Sequence, residues 1–142
     1  NVPLLTAIAM NGVREVMEEA SREAYRTAKA LGITMVPIFG KVAADVPDSD
    51  KYGIDLLDTV LAAYSLPDTR VAVLQDWDKG RRAELEAYSG YIVAQQAKLG
   101  TTAPINAAIL RIAQLVERGE LAPDPANARL LIEALRPALP SP

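Results

Sequence analysis

Acid–base chemistry in this chain falls to carboxylates, lysines and tyrosines. There is no histidine and no cysteine among the 142 residues. That removes Ser-His-Asp triads, thiolate nucleophiles, disulfides and His-ligated zinc or iron. A metal would need an all-oxygen site of the magnesium or calcium kind. The acidic loop carrying Asp45, Asp48 and Asp50 lacks the glycine and terminal glutamate of a calcium loop, so no metal is assigned to it. Among the carboxylates, Glu84 has the most informative surroundings: Leu74-Gln75-Asp76-Trp77-Asp78-Lys79-Gly80-Arg81-Arg82-Ala83-Glu84-Leu85-Glu86. A carboxylate near a developing alkoxide can hydrogen-bond a substrate hydroxyl and orient an ammonium group. By spacing alone, Glu84 reads as a solvated charge near a helix start, stabilised by the helix dipole.

The elements that must position it are helical. Val13, Val16, Met17, Ala20, Ala24, Ala28 and Leu31 recur at helical spacing, with Glu18, Glu19, Arg22 and Glu23 on the other face. Glu18 and Arg22 make a favourable i,i+4 pair. Asn11 is the expected N-cap and Gly32 the expected residue past the C-terminus. Residues 33–39 read as an extended connector, because Pro37 and isolation disfavour a strand. A second helix covers residues 52–64, with Leu56, Leu57, Val60, Leu61 and Tyr64 inward. Asp68 is expected to cap a short helix over residues 71–75. The periodicity then predicts one long helix over residues 81–99, with Gly90 in its middle packed closely on a neighbour. Pro104 opens the next helix. Asp124-Pro125 opens the last, with Ala128, Leu131, Ile132 and Leu135 inward. Pro137, Pro140 and Pro142 read as a frayed tail. The fold class is all-α, a multi-helix bundle of about six helices.

Half of the chain is hydrophobic and 23% is charged, which is globular composition. The net charge of -3 and the absence of basic runs exclude a nucleic-acid surface. The longest apolar stretch, residues 2–10, is too short for a membrane span. No secretory signal is visible, and the lack of cysteine fits a reducing compartment, so a cytoplasmic location is expected. No Gly-rich phosphate loop is present, so no dinucleotide site is expected within the chain. The start at Asn1, without Met and inside an apolar stretch, reads as the cut edge of a longer protein.

Four segments, taken together, resemble the C-terminal helical domain of the ketopantoate reductase (2-dehydropantoate 2-reductase) family. They are Val73-Leu74-Gln75-Asp76, Gly80-Arg81-Arg82-Ala83-Glu84-Leu85-Glu86, Gly90, and Ala103-Pro104-Ile105-Asn106, in order over about 35 residues. The family's counterparts are Met-Leu-Gln-Asp, Gly-Arg-x-Thr-Glu-Ile-Asp, a following Gly, and Thr-Pro-x-Asn. The opening Asn1-Val2-Pro3-Leu4-Leu5-Thr6-Ala7-Ile8, followed by Asn11-Gly12, is similar to the start of the same domain. The last helix carries the resemblance least.

The resemblance implies a C-terminal domain like those of 6-phosphogluconate dehydrogenase-like reductases, with residues 1–142 as one substrate-binding and dimerisation domain. It implies an NADPH-dependent oxidoreductase whose N-terminal Rossmann domain, outside this chain, binds most of the cofactor. The reaction would reduce ketopantoate to pantoate for pantothenate synthesis, and this chain alone would be inactive. A lysine upstream of residue 1 would be the general acid; Lys41, Lys51 and Lys79 do not stand in its place. Glu84 matches the active-site glutamate that contacts the reacting oxygen, on a helix facing a cleft. A substrate-holding serine falls at Ala72, which has no hydroxyl and leaves the particular 2-oxo acid open. Asn1 falls on a substrate-contact asparagine when Asn11-Gly12 sets the register; Pro3 takes that place when Leu5-Thr6-Ala7 sets it. The implied partners are the chain's own Rossmann domain, a 2-oxo acid and a second copy in a homodimer. The competing readings are a non-catalytic helical dimerisation or interaction module, and a paralogue acting on a different 2-oxo acid. Other residues read blandly: Gln75-Asp76 as caps or bridges, Trp77 as packing, Arg81 and Arg82 as surface charges paired with Glu84 and Glu86, and Tyr88 and Tyr91 as core.

Overall fold

The computed structural model describes residues 2–46 and 49–136. Among them are seven α-helices and no strand, so the fold is all-α. Asn1, Asp48 and the three terminal prolines lie outside the described residues.

Helix α1 (Leu4–Ile8) leads through a tight turn into α2 (Val13–Ala30). Gly12 makes that turn with φ 80°. A Cβ there would meet Ile132 Cγ1 at 2.9 Å, so both the left-handed backbone and the packing require glycine. Gly12, not Asn11, is therefore the N-cap of α2, and no side chain caps it. At the far end Gly32 has the expected positive φ, 73°.

The buried face of α2 differs from its hydrophobic stripe. Val16 is buried, but so are Glu19, Glu23 and Thr27, while Leu31 is exposed. The reason is a cap supplied from outside. Helix α6 (Pro104–Glu117) begins with unpaired N–H groups, and its N-cap residue Ala103 has no side chain to offer them. Glu23 Oε1 accepts the Ile105 N–H at 2.9 Å. Its Oε2 accepts the Asn106 N–H at 2.9 Å and the Asn106 side-chain amide at 2.8 Å. Glu19 is held by Arg22 at 3.3 Å and Arg26 at 2.9 Å. The predicted Glu18–Arg22 pair forms at 3.3 Å.

Residues 33–39 form no regular element, as expected. Buried Tyr52 anchors this connector by donating its hydroxyl to the Val36 carbonyl. Tyr52 opens α3 (Tyr52–Thr59), which widens into a π-helical turn over Val60–Tyr64. A Cβ on Gly53 would fall 1.7 Å from Ser21 Oγ, so glycine lets α3 lie against α2. Tyr64, expected inside, is 58% exposed, and its ring meets Phe39 with centroids 5.0 Å apart.

Helix α4 (Ala72–Asp78) starts after Val71 rather than from Asp68. The single helix predicted over residues 81–99 is not formed. Residues 81–83 form no regular element, Glu84–Glu86 makes one 3₁₀ turn, and α5 runs only over Ser89–Lys98. Ala83 is extended, with its N–H donated to Glu117 2.8 Å away, so the helical run does not begin at residue 81. Gly90 is thus the second residue of α5, where a Cβ would make ordinary contact with Leu110 at 3.6 Å. Gln96 ties α5 to α2 by donating to Thr27 Oγ1 at 2.6 Å.

Asp124 caps the last element as predicted, accepting the Ala126 N–H at 2.7 Å before α7 (Ala128–Leu135). The core joins α2, α6 and α7: Val16, Ile105 and Leu135, with Ala20, Ile109, Leu131 and Ile132 around them. No helix among the described residues is long and apolar enough to cross a membrane.

Candidate functional site

Helices α1, α4, α6 and α7 enclose an open, almost wholly apolar cavity of about 350 Å³. Val2, Val71, Trp77, Leu85, Ile109 and Leu131 are among its walls. The Leu4 N–H donates to the Thr69 carbonyl at 2.8 Å, which joins the start of α1 to the approach of α4. Val71 and Leu85, chain neighbours of Ala72 and Glu84, are both among its walls. Neither Ala72 nor Glu84 lines it. Both are exposed, Ala72 at the first position of α4 and Glu84 on the 3₁₀ turn. Asn1 lies outside the described residues.

Glu84 Oε2 accepts the Tyr88 hydroxyl at 3.0 Å. That bond, then the carboxylate's charge, holds the Tyr88 phenol above its ordinary pKa, and the nearby Asp76 charge adds to it. Asp76 lies one helical turn beyond Ala72 on α4. Glu84 and Tyr88 thus form one open, polar surface. Such a surface can accept hydrogen bonds from a substrate hydroxyl or an ammonium group. Tyr88 and Tyr91, read from the sequence as core, are 58% and 51% exposed.

Arg82 pairs with Glu86 at 3.4 Å and Glu117 at 3.2 Å, not with Glu84. Trp77 packs along the cavity wall, as expected, and donates its indole N–H to Glu117 at 3.4 Å. Gln75 bridges back to the Arg70 carbonyl at 2.8 Å. The acidic loop is engaged internally: Asp45 accepts the Val42 N–H and Asp50 pairs with Arg26.

Sequence reasoning passed over Glu117. Its signal was position: it ends α6, where a negative charge opposes the helix dipole, so something else must stabilise it. Burial pushes the Glu117 carboxyl up, but the Ala83 N–H, Arg82 and Trp77 outweigh this and hold it below its ordinary pKa. A carboxyl depressed on folding contributes stability that is full above its unfolded pKa and lost as pH falls through the folded one. Unfolding at pH 7 and at decreasing pH below 4.5 should show this loss, and Glu117→Gln should flatten that part of the profile.

The described residues thus form an all-α bundle with an open apolar cavity and an exposed carboxylate next in sequence to one of its walls. The family model described as "Ketopantoate reductase PanE/ApbA C terminal" matches residues 1–117, and the chain belongs to that family. The match ends before α7, although Leu135 of that helix completes the core. No curated protein and no solved structure matches the chain.

Proposed function

We propose that this chain is the substrate-binding half of an NADPH-dependent 2-oxo acid reductase that converts ketopantoate to pantoate. The observation that carries the reading is the exposed Glu84 carboxylate. Its chain neighbour Leu85 lines a cavity shared with Val2, ahead of α1, and with α4, in a domain of this family.

The chain has no Gly-rich phosphate cradle, so its residues do not fit a dinucleotide, and the cofactor belongs to a Rossmann domain outside it. Alone, the chain is inactive. Its task is to bind and orient. Glu84 takes a hydrogen bond from the hydroxyl formed at the reacting carbon and fixes a lysine ammonium supplied from outside the chain. Exposed Val71 and Tyr88, beside Ala72 and Glu84, offer apolar surface on which that second domain closes. Asn1 would add a substrate contact, and two copies pair through the helical domain. Closure excludes water and strengthens each polar contact.

Ala72 favours a second reading, a reductase for a different 2-oxo acid, because it offers no hydroxyl. Replacing it separates the two. If ketopantoate is the substrate, Ala72→Ser in the enzyme that carries this domain supplies the missing donor. The gain in kcat/KM should be about 5–150-fold, the equivalent of one buried hydrogen bond. An unchanged or lower kcat/KM for ketopantoate, with another 2-oxo acid turned over faster by the unaltered enzyme, selects the second reading.

A further inference from the structure

The 3₁₀ turn bearing Glu84 is not part of an α-helix, so no extended ladder of backbone hydrogen bonds fixes its position. Its local bonds, Arg81 N–H to the Asp76 carbonyl at 2.8 Å and Ala87 N–H to the Glu84 carbonyl at 2.9 Å, shape it without attaching it to the core. The attachment is Glu117. One carboxylate oxygen accepts the Ala83 N–H at 2.8 Å and the Trp77 indole at 3.4 Å. The other accepts from Arg82 at 3.2 Å. Arg82 also reaches Glu86, which accepts from Gln114 on α6 at 3.3 Å. The Glu117 side chain is only 11% exposed and Ala83 is buried, so water is a poor substitute for either partner.

We propose that Glu117 is the positioning residue for Glu84: from the end of α6 it clamps the backbone one residue before the glutamate and sets where that carboxylate meets the substrate. The proposal rests on the reading of Glu84 as a substrate contact. It requires no contact between Glu117 and the substrate. It also accounts for an acidic residue at the unfavourable end of a helix.

The test is steady-state kinetics on the enzyme that carries this domain, with variants at both positions. Glu117→Met keeps the bulk and removes every acceptor; a misplacement on the order of 1 Å should lower kcat about 100-fold. Glu117→Gln keeps one oxygen for the Ala83 N–H and should lose less than about 10-fold. In a Glu84→Gln background, Glu117→Met should cost less than about 3-fold, because the group it positions is already disabled. Ala83→Pro deletes the same bond from the donor side and suits the φ of -82° at that residue. It should reproduce most of the loss should Glu117→Met fail to fold. The proposal is overturned by a wild-type kcat in either Glu117→Met or Ala83→Pro, or by an equal loss from Glu117→Met with and without Glu84. A wild-type kcat in Glu84→Gln alone is a different outcome: it removes Glu84 from the reaction, and with it the group that Glu117 was to position.

Discussion

Glu23→Ala is expected to lower the stability of this domain by about 3–5 kcal/mol, which places it among the severe single substitutions. The side chain accepts three hydrogen bonds at the start of α6, at 2.8–2.9 Å, and is 4% exposed. Truncation leaves two backbone N–H groups buried without acceptors and takes one of two acceptors from the Asn106 amide, which still donates to the Ala20 carbonyl at 3.1 Å. It also removes a negative charge from the positive end of a 14-residue helix. Ile105, one of the donors, is fully buried and central to the core, so the helix cannot move away to find water without breaking the α2–α6–α7 packing. The melting midpoint should fall by about 10–20 °C. Glu23→Gln retains one acceptor but presents an amide donor to other donors, so it should lie between wild type and Glu23→Ala. Combining Glu23→Ala with Asn106→Ala should cost less than the sum of the two, with a coupling of about 1–3 kcal/mol. A Glu23→Ala protein within about 1 kcal/mol of wild type would show that α6 does not depend on this cap.

Glu23 and Glu117 also mark the limit of what the sequence reveals. Elements closed by their own neighbours were legible. Pro104 starts α6, Asp124 caps the chain before α7, and Gly32 ends α2, each through chemistry confined to a few adjacent residues. Glu23 caps residues 82 and 83 positions away, and Glu117 holds a residue 34 positions away. Hydrophobic periodicity sorts a charged side chain to the solvent face because it cannot represent a partner from another helix. The misplaced helix over residues 81–99 has the same origin, since local propensity does not represent an extended Ala83 tied to a carboxylate 34 positions away. Tyr88 and Tyr91 erred differently: a tyrosine ranks between core and surface, and the phenol of Tyr88 has a partner only at the exposed Glu84. The candidate site was legible as a motif, since the order of residues survives whatever the local conformation. Its shape was not.

Glu84→Gln carries the largest expected effect on activity. In the enzyme that carries this domain, kcat/KM for the 2-oxo acid should fall by about 100- to 1,000-fold, the range for losing a proton-transfer partner or one preorganised charge. The amide is nearly isosteric and can still accept from Tyr88, which lies 3.0 Å from the carboxylate, so the fold of the 3₁₀ turn should persist. What disappears is the negative charge. On the proposed reading, that charge attracts a lysine ammonium and accepts a hydrogen bond from the substrate hydroxyl more strongly than a neutral amide does. Glu84 is exposed in this domain, so on the proposed reading its charge is screened until a second domain closes over it. The same carboxylate gains strength once water is excluded. That sequence of events places the loss on turnover rather than on initial binding: kcat should fall by most of the factor, with KM changing little. Thermal melting of the variant should match wild type within about 0.5 kcal/mol, as for a surface substitution. A Glu84→Gln enzyme that turns over at the wild-type rate would leave the helical domain as a scaffold whose contribution to the reaction lies elsewhere.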